Sequence, residues 1–248
     1  MIGGAIVPHA PLLLSEVPGE QVADRVAEVV RAVGEVDLRG TEALVVISSH
    51  GARTAIHSSA TGTLGAFSVP GVESSFPTNE ELASALASAT RLPTETASID
   101  HGALVPLMLV DPDPTPVVVA TVAEDTGPHG ADVACSIADG RRIAGGLRRA
   151  ASDRDVFVLA SAHLSAAMSP RAPLTELPEG PALSRAVLEA LGSDVGALDD
   201  IPASLWTEAG SCGAGPLSAF GRLFRGRKAE VRCETHPFGV KYLVAEIA

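Results

Sequence analysis

The chain has 248 residues, of which 46% are hydrophobic and 19% are charged, and its formal net charge at pH 7 is −12. This hydrophobic content is enough for a large core and excludes an intrinsically disordered chain. The acidic balance argues against nucleic-acid binding, which needs clustered Lys and Arg, and no apolar run approaches the roughly 20 residues of a membrane-spanning helix.

Four apolar, β-branched segments predict buried strands. In chain order they are GAIVPHAPLLL, EALVVISSHG, TPVVVATVAE and RDVFVLASAHLS. Helical spacing predicts helices at residues 19–33, 79–89, 138–151 and 181–191, the second with Thr78 as its N-cap. Because buried strands alternate with helices, the sequence predicts an α/β fold with a central, mostly parallel or mixed sheet and helices on both faces.

The remaining segments predict one domain and a cytoplasmic location. The C-terminal AEVRCETHPFGVKYLVAEI is typical of a strand pair, antiparallel at a sheet edge, and the Pro- and Gly-rich loops 111–116 and 169–181 are too short to divide residues 1–248 into two domains. The N-terminus lacks the basic lead and cleavage site of a signal peptide. Three cysteines, an odd and low number, indicate a reducing compartment and no disulfide framework.

Four of the seven histidines adjoin apolar, strand-like segments. His9, His50 and His163 each lie near a strand end, and His101 is expected in a loop that enters the apolar stretch 103–110. Ligands gather at the carboxyl ends of strands in open α/β sheets, so these side chains are expected to converge. A structural, hydrogen-bonded role is the simpler interpretation for any one of them. Four in the same setting instead indicate a metal or acid/base site.

The other histidines are given ordinary structural interpretations. His57 is expected to point from a strand into solvent, and His236 to lie in a turn. His129 lies in a Gly/Pro segment, where a surface turn is favoured over a place in the pocket. Asp100 either orients the His101 imidazole or caps a turn, and the turn is favoured.

A metal site of this kind needs a third protein ligand, either a carboxylate or a thiolate. The segment WTEAGSCGAGPLSAF offers both, as Glu208 and Cys212. The glycines around Cys212 indicate a backbone bent for close approach, and the alternative for this cysteine is a small buried hydrophobe. Cys135 and Cys233 lack such a setting and are interpreted as structural.

Five motifs, taken in order and spacing, carry a resemblance to a known family. They are IVPHAPLL, VVISSHG, DHGALVPL, ASAHLS and AGSCGAGPL. The sequence resembles the class III extradiol dioxygenases, the LigB-type ring-cleaving enzymes whose relatives include the Memo proteins. The resemblance runs from His9 to the closing FGVKYLVAEI. It is specific to the superfamily and does not identify a substrate.

The resemblance implies a site and a reaction. His9 and His50 match the family's Fe(II) ligands, and His101 and His163 match its acid/base histidines. The implied partners are a small aromatic, catechol-like diol and O2, and the implied outcome is ring cleavage. Some relatives close the pocket with a second subunit, so a homo-oligomer is also left open.

One position departs from the dioxygenase pattern. The family's third ligand is a glutamate in a motif resembling A-G-S-E-G, where this chain has Cys212. Glu208 substitutes for that glutamate only if the loop is rearranged. A thiolate favours Zn or Cu, or iron in a different electronic state. A second hypothesis is therefore a Memo-like metal-binding protein with a His/His/Cys site and a redox or regulatory role. A third is a catalytically silent scaffold.

Overall fold

The computed structural model describes residues 2–14, 20–67, 69, 71–123, 132–165 and 177–247. The strands are β1 (Ile2–Val7), β2 (Ala43–Gly51), β3 (Ala55–His57), β4 (Ala60–Thr63), β5 (Glu73–Phe76), β6 (Thr94–Glu95), β7 (Val117–Ala123), β8 (Val156–Ser161), β9 (Ala229–Thr235) and β10 (Tyr242–Ile247). The α-helices are α1 (Glu20–Gly34), α2 (Glu80–Thr90), α3 (His101–Val110), α4 (Val133–Ala150), α5 (Glu179–Ser193), α6 (Ala203–Glu208) and α7 (Ala214–Leu223). Short 3-10 helices lie at Pro11–Leu13, Gly65–Phe67 and Val195–Asp200.

Eight of the strands form one mixed sheet in the order β6-β3-β7-β2-β8-β1-β10-β9, and β4 and β5 form a separate antiparallel pair. The four central strands, β7, β2, β8 and β1, run parallel to one another. Strand β3 is antiparallel to β7, and β10 is antiparallel to both β1 and β9. The predicted α/β fold with a mixed sheet is confirmed, as is the antiparallel pair at the C-terminal edge.

Alternate residues of the central strands enter two separate apolar layers. Val45 and Ile47 of β2 pack in the layer that contains α2, α4, α5 and α7. Leu44 and Val46 pack in the layer that contains α1 and α3. Because both faces of these strands are covered, their sequences are continuously apolar rather than alternating. Within the described residues, no helix is both long and apolar enough to cross a bilayer.

The predicted N-cap of α2 was wrong by one residue. Asn79, not Thr78, caps the helix, and its side-chain oxygen accepts the N–H of Leu82 at 3.0 Å. Thr78 instead forms an isolated bridge to Val117, which keeps its backbone extended. Asn79 is therefore the last residue outside the helix, where an Asx side chain is well suited to capping.

The segment at His101 was also predicted incorrectly. His101 is the first residue of α3 and does not lie in a loop, and the apolar stretch that follows is helical. Asp100 is the N-cap, and its Oδ1 accepts the N–H of Ala103 at 3.1 Å and the hydroxyl of Ser48 at 2.7 Å. Capping thus places His101 at the start of a helix, with its backbone direction fixed.

Candidate metal centre

Three adjacent parallel strands bring three histidines together at their carboxyl ends. His50 lies at the end of β2, His163 follows β8, and His9 follows β1. The ring centroid of His9 lies 4.6 Å from that of His50 and 3.9 Å from that of His163. The order β2-β8-β1 within the sheet accounts for this convergence of residues that are far apart in sequence.

Two helices from opposite faces of the sheet complete the cluster. His101, at the start of α3, has its ring centroid 4.3 Å from that of His50. Cys212, just before α7, has its Sγ 3.6 Å from Nε2 of His9. Because α3 and α7 pack in different apolar layers, the site straddles the edge of the sheet.

The cluster contains two groups of donor atoms that are close enough to hold a metal ion. In each group the ligand atoms all lie within 4.8 Å of one another. The first group is His9, His163 and Cys212, and the second is His9, His50 and His101. His9 belongs to both and is 1% exposed. The predicted ligand pair His9 and His50 therefore lies in one group, and Cys212 joins His9 in the other.

Hydrogen bonds fix which nitrogen of His9 faces the cluster. The hydroxyl of Ser161 donates to the carbonyl of Gly102, which can only accept. The oxygen of Ser161 must therefore accept from Nδ1 of His9, at 2.9 Å. The proton of the neutral imidazole is thus on Nδ1, and the Nε2 lone pair faces the other donors.

His50 lies in direct contact with that lone pair. Nε2 of His50 is 2.8 Å from Nε2 of His9, a hydrogen-bond distance that requires one proton between the two nitrogens. Since His9 carries its proton on Nδ1, the shared proton comes from His50. A cation bound by both nitrogens would replace this proton, and neutral His50 would then carry its proton on Nδ1.

The loop that carries Cys212 is tied to His163. The hydroxyl of Ser211 donates to the carbonyl of His163 at 2.8 Å, and the N–H of His163 points to Sγ of Cys212 at 3.5 Å. A Cβ at Gly213 would lie 3.1 Å from the Cβ of Ala162, tighter than an ordinary contact. The expected close backbone approach beside Cys212 is therefore present at Gly213.

His163 also has a defined tautomer. Its Nε2 accepts the backbone N–H of His9 at 3.3 Å, so that this nitrogen carries no proton. The proton of neutral His163 is therefore on Nδ1. The Nε2 lone pair of His163 is therefore occupied, and Nδ1 is left as an N–H donor on the other side of the ring.

Burial tunes the titratable groups of the site. Burial, and then the charge of His163, lower the pKa of His9 well below its usual value. Burial alone would raise the pKa of the Cys212 thiol, but its electrostatic interaction with His9 and the hydrogen bonds of the neighbouring imidazoles outweigh burial and lower that pKa. Burial, followed by the charge of His50, lowers the pKa of His101 to about 4. Neutral imidazole and thiolate are the forms that bind metal ions.

Contacts around Gly102 fix the positions of His50 and His101 relative to each other. A Cβ at Gly102 would lie 2.5 Å from Oγ of Ser48 and 3.0 Å from Cδ2 of His50. Only glycine fits at this position without displacing its neighbours. Asp100, which binds Ser48 and caps α3, therefore holds the start of the helix against the end of β2.

Several predicted candidates lie elsewhere. Glu208 is the exposed last residue of α6 and belongs to neither donor group among the described residues. His236 is exposed in a turn closed by the N–H of Gly239, as predicted. His129 lies in 124–131, outside the described residues.

The prediction for His57 was wrong, because this side chain is 4% exposed rather than in solvent. It ends β3, which lies between β6 and β7 within the sheet. Its Nδ1 contacts the carbonyl of Ala97 and its Nε2 contacts Oγ1 of Thr121, both at 3.3 Å. These partners satisfy a buried imidazole without any ligand.

Two aromatic neighbours of the cluster were not found from the sequence. The ring centroid of Phe67 lies 4.6 Å from that of His101, and the ring centroid of Tyr242 lies 5.5 Å from that of His163. Phe67 lies between β4 and β5, in a segment with no histidine motif to mark it. Tyr242 lies in the closing FGVKYLVAEI of the family resemblance, and this was the only available signal for it.

Comparisons with known proteins identify the family and the fold of the chain. A family model described as the catalytic LigB subunit of aromatic ring-opening dioxygenase matches residues 3–218. No curated protein sequence matches the chain. The crystal structure of uncharacterized protein JW3007 from Escherichia coli K12 is similar over 100% of both chains, with a TM-score of 0.60 and 16% sequence identity. At this identity, the similarity shows the shared fold alone.

Proposed function

Because this chain belongs to the family of catalytic LigB subunits of aromatic ring-opening dioxygenases, we propose that it is a metal-dependent oxidoreductase that acts on a small aromatic diol with O2. The observation that carries the proposal is the convergence of imidazole and thiolate donors on one buried histidine, His9. This donor chemistry fits a transition-metal ion and does not fit Mg²⁺ or Ca²⁺, which prefer oxygen ligands.

We assign His9, His50 and Cys212 as the ligands. The Nε2 atom of His9 lies 2.8 Å from Nε2 of His50 and 3.6 Å from Sγ of Cys212, so both neighbours adjoin the donor residue that the two groups share. His163 is a weaker candidate, because its Nε2 already accepts the N–H of His9. A bound Fe(II) would supply the redox chemistry by which O2 reacts with a diol.

The remaining two histidines are assigned to proton transfer. His101 is neutral at neutral pH and adjoins His50, so we assign it as the base that takes a proton from a substrate hydroxyl. The Nε2 lone pair of His163 is occupied by the N–H of His9, and its Nδ1–H is the donor, so we assign His163 as the acid that returns a proton. The two roles need one imidazole that accepts and one that donates, and the occupied lone pair of His163 leaves the accepting role to His101.

A second candidate function follows from Cys212. A thiolate ligand favours Zn or Cu, and sulfur beside a redox-active ion and O2 is open to oxidation. The same site would then serve a Memo-like metal-binding protein with a redox or regulatory role and no ring cleavage. The lowered pKa of Cys212 supports thiolate ligation in either candidate.

Metal content separates these candidates. The protein is prepared without a His-tag under anaerobic conditions, beside Cys212→Ala and Glu208→Gln, and each sample is analysed for metals and then screened with catechols. The first candidate predicts about one iron per chain, lost in Cys212→Ala and retained in Glu208→Gln, with a yellow ring-cleaved product. The second candidate predicts zinc or copper in the wild type, loss of that metal in Cys212→Ala, and no ring-cleaved product. No metal in any sample contradicts both.

A further inference from the structure

Phe67 is an aromatic side chain left in solvent beside the cluster. It is 46% exposed, whereas Phe157, Phe220 and Phe224 are all buried in the two apolar layers. Single exposed apolar residues are common on protein surfaces, so exposure alone carries no function. The position of Phe67, beside a histidine of the site, distinguishes it from Val231, the other large exposed hydrophobic residue in the described part of the chain.

The turn that presents Phe67 is anchored. Phe67 ends the 3-10 helix Gly65–Phe67, and its N–H donates to the carbonyl of Leu64 at 2.9 Å. Leu64 is fully buried, and its own N–H donates to the carbonyl of Val72 at 3.0 Å. The position of the Phe67 backbone is therefore set by a buried neighbour and by the pairing around β4 and β5.

The ring of Phe67 lies at the solvent-exposed side of the histidine cluster. The centroid of Phe67 is 4.6 Å from that of His101, with an angle of 64° between the ring planes. His101 is partly exposed, and His9, whose ring centroid lies 5.5 Å from that of His101, is 1% exposed. Exposure thus rises from His9 through His101 to Phe67, and this order marks the direction from which a small molecule would approach.

We propose that Phe67 is a specificity-determining residue, whose ring forms the apolar wall against which the aromatic ring of the substrate packs. This inference rests on the proposed function. A diol with its hydroxyl groups at the cluster must direct the rest of its ring outward, past His101, where Phe67 lies. Aromatic rings pair in offset or edge-to-face contact at centroid distances of about 4.5–7 Å, and such contact would bury apolar surface that Phe67 now exposes to water.

The test uses binding of 4-nitrocatechol, a chromophoric diol, to the iron-loaded protein under anaerobic conditions. The compared proteins are wild type, Phe67→Ala, Phe67→Leu and the matched control Val231→Ala, which also removes an exposed apolar side chain but lies on edge strand β9. Dissociation constants come from the shift of the nitrocatechol absorption band. Iron content is measured on the same samples.

Phe67→Ala is expected to bind nitrocatechol roughly tenfold more weakly, from the loss of about half the apolar surface of one aromatic side chain. The affinity of Phe67→Leu for nitrocatechol should lie between those of Phe67→Ala and wild type, and the affinity of Val231→Ala should equal that of wild type. Iron content should be the same in all four proteins. Equal affinities for Phe67→Ala and wild type would overturn the inference while leaving the proposed function standing. Failure of iron-loaded wild type to bind nitrocatechol would overturn the proposed function, and this inference with it.

Discussion

His9 and His57 are both buried histidines at the end of a strand, yet only His9 belongs to the candidate metal centre. The two side chains are 1% and 4% exposed. His9 lies among three further imidazoles, those of His50, His101 and His163, and the thiol of Cys212. His57 lies between the hydroxyl of Thr121 and the carbonyl of Ala97.

Strand direction explains the difference. β1 runs parallel to β8, so His9 emerges at the edge where the other carboxyl ends meet. β3 runs antiparallel to β7, and His57 therefore pairs with Val119 inside the ladder. Burial and a place at a strand end do not make a site by themselves; a histidine also needs neighbouring strands that end at the same edge.

The largest expected effect is the loss of metal from His9→Ala. His9 is the donor shared by both ligand groups, so its removal should abolish metal binding, whereas His57→Ala should keep the wild-type stoichiometry. Elemental analysis of the two purified variants measures this directly. Full metal content in His9→Ala, or loss of metal from His57→Ala, would break the distinction between the two histidines.

The next effect concerns catalysis without metal loss. On a catechol that the wild type cleaves, His101→Ala should lower turnover by roughly 10²–10⁴-fold, the usual contribution of one acid/base group. Its metal content should stay at the wild-type level, since His101 is not among the assigned ligands. The test measures the initial rate of product formation and the metal content of the same sample. An unchanged rate in His101→Ala would rule out its proton-transfer role.

A smaller effect tests the partner of each buried histidine. Ser161 holds Nδ1 of His9, and Thr121 contacts Nε2 of His57. Ser161→Ala should weaken metal binding by about 10- to 100-fold, as is typical when the partner of a ligating histidine is removed. Thr121→Val should leave metal affinity unchanged. Competition titrations with a chelating dye would detect either result, and equal affinities in both variants would contradict the tautomer argument.

The smallest effect is a pH shift at a buried group outside the ligand set. Burial raises the pKa of Tyr242 from 10.0 to about 12. The protonated phenol is therefore favoured in the folded protein, and its contribution to stability is complete below pH 10 and is lost as the pH rises through 12. Because the chain has one tyrosine, tyrosinate absorbance reports this residue alone. Titration near pH 10 in the folded protein would contradict its burial.

Much of the fold could be predicted because buried parallel strands carry a direct signal. The runs that became β1, β2, β7 and β8 are continuously apolar, and the histidines that follow three of them locate the site. The resemblance of five motifs to the LigB-type family is confirmed by the family match.

The errors at His57, His101 and Thr78 each involve a contact with a segment distant in sequence. The burial of His57 follows from the antiparallel pairing of β3 with β7, which the local pattern does not encode. The start of α3 at His101 depends on Asp100, whose carboxylate also binds Ser48 of another strand. Phe67 reaches the site only through the placement of β4 and β5. The sequence also left the choice between Cys212 and Glu208 open, with Glu208 requiring a rearranged loop, and the exposed position of Glu208 now favours the thiol.

The central claim is that His9, His50 and Cys212 hold one metal ion. The most direct measurement is the absorption spectrum of the Co(II)-substituted protein, compared with Cys212→Ser and Glu208→Gln. We predict an intense near-ultraviolet band from thiolate-to-cobalt charge transfer in wild type and in Glu208→Gln, and its loss in Cys212→Ser. Its absence from wild type, or its persistence in Cys212→Ser, would contradict the assignment of Cys212.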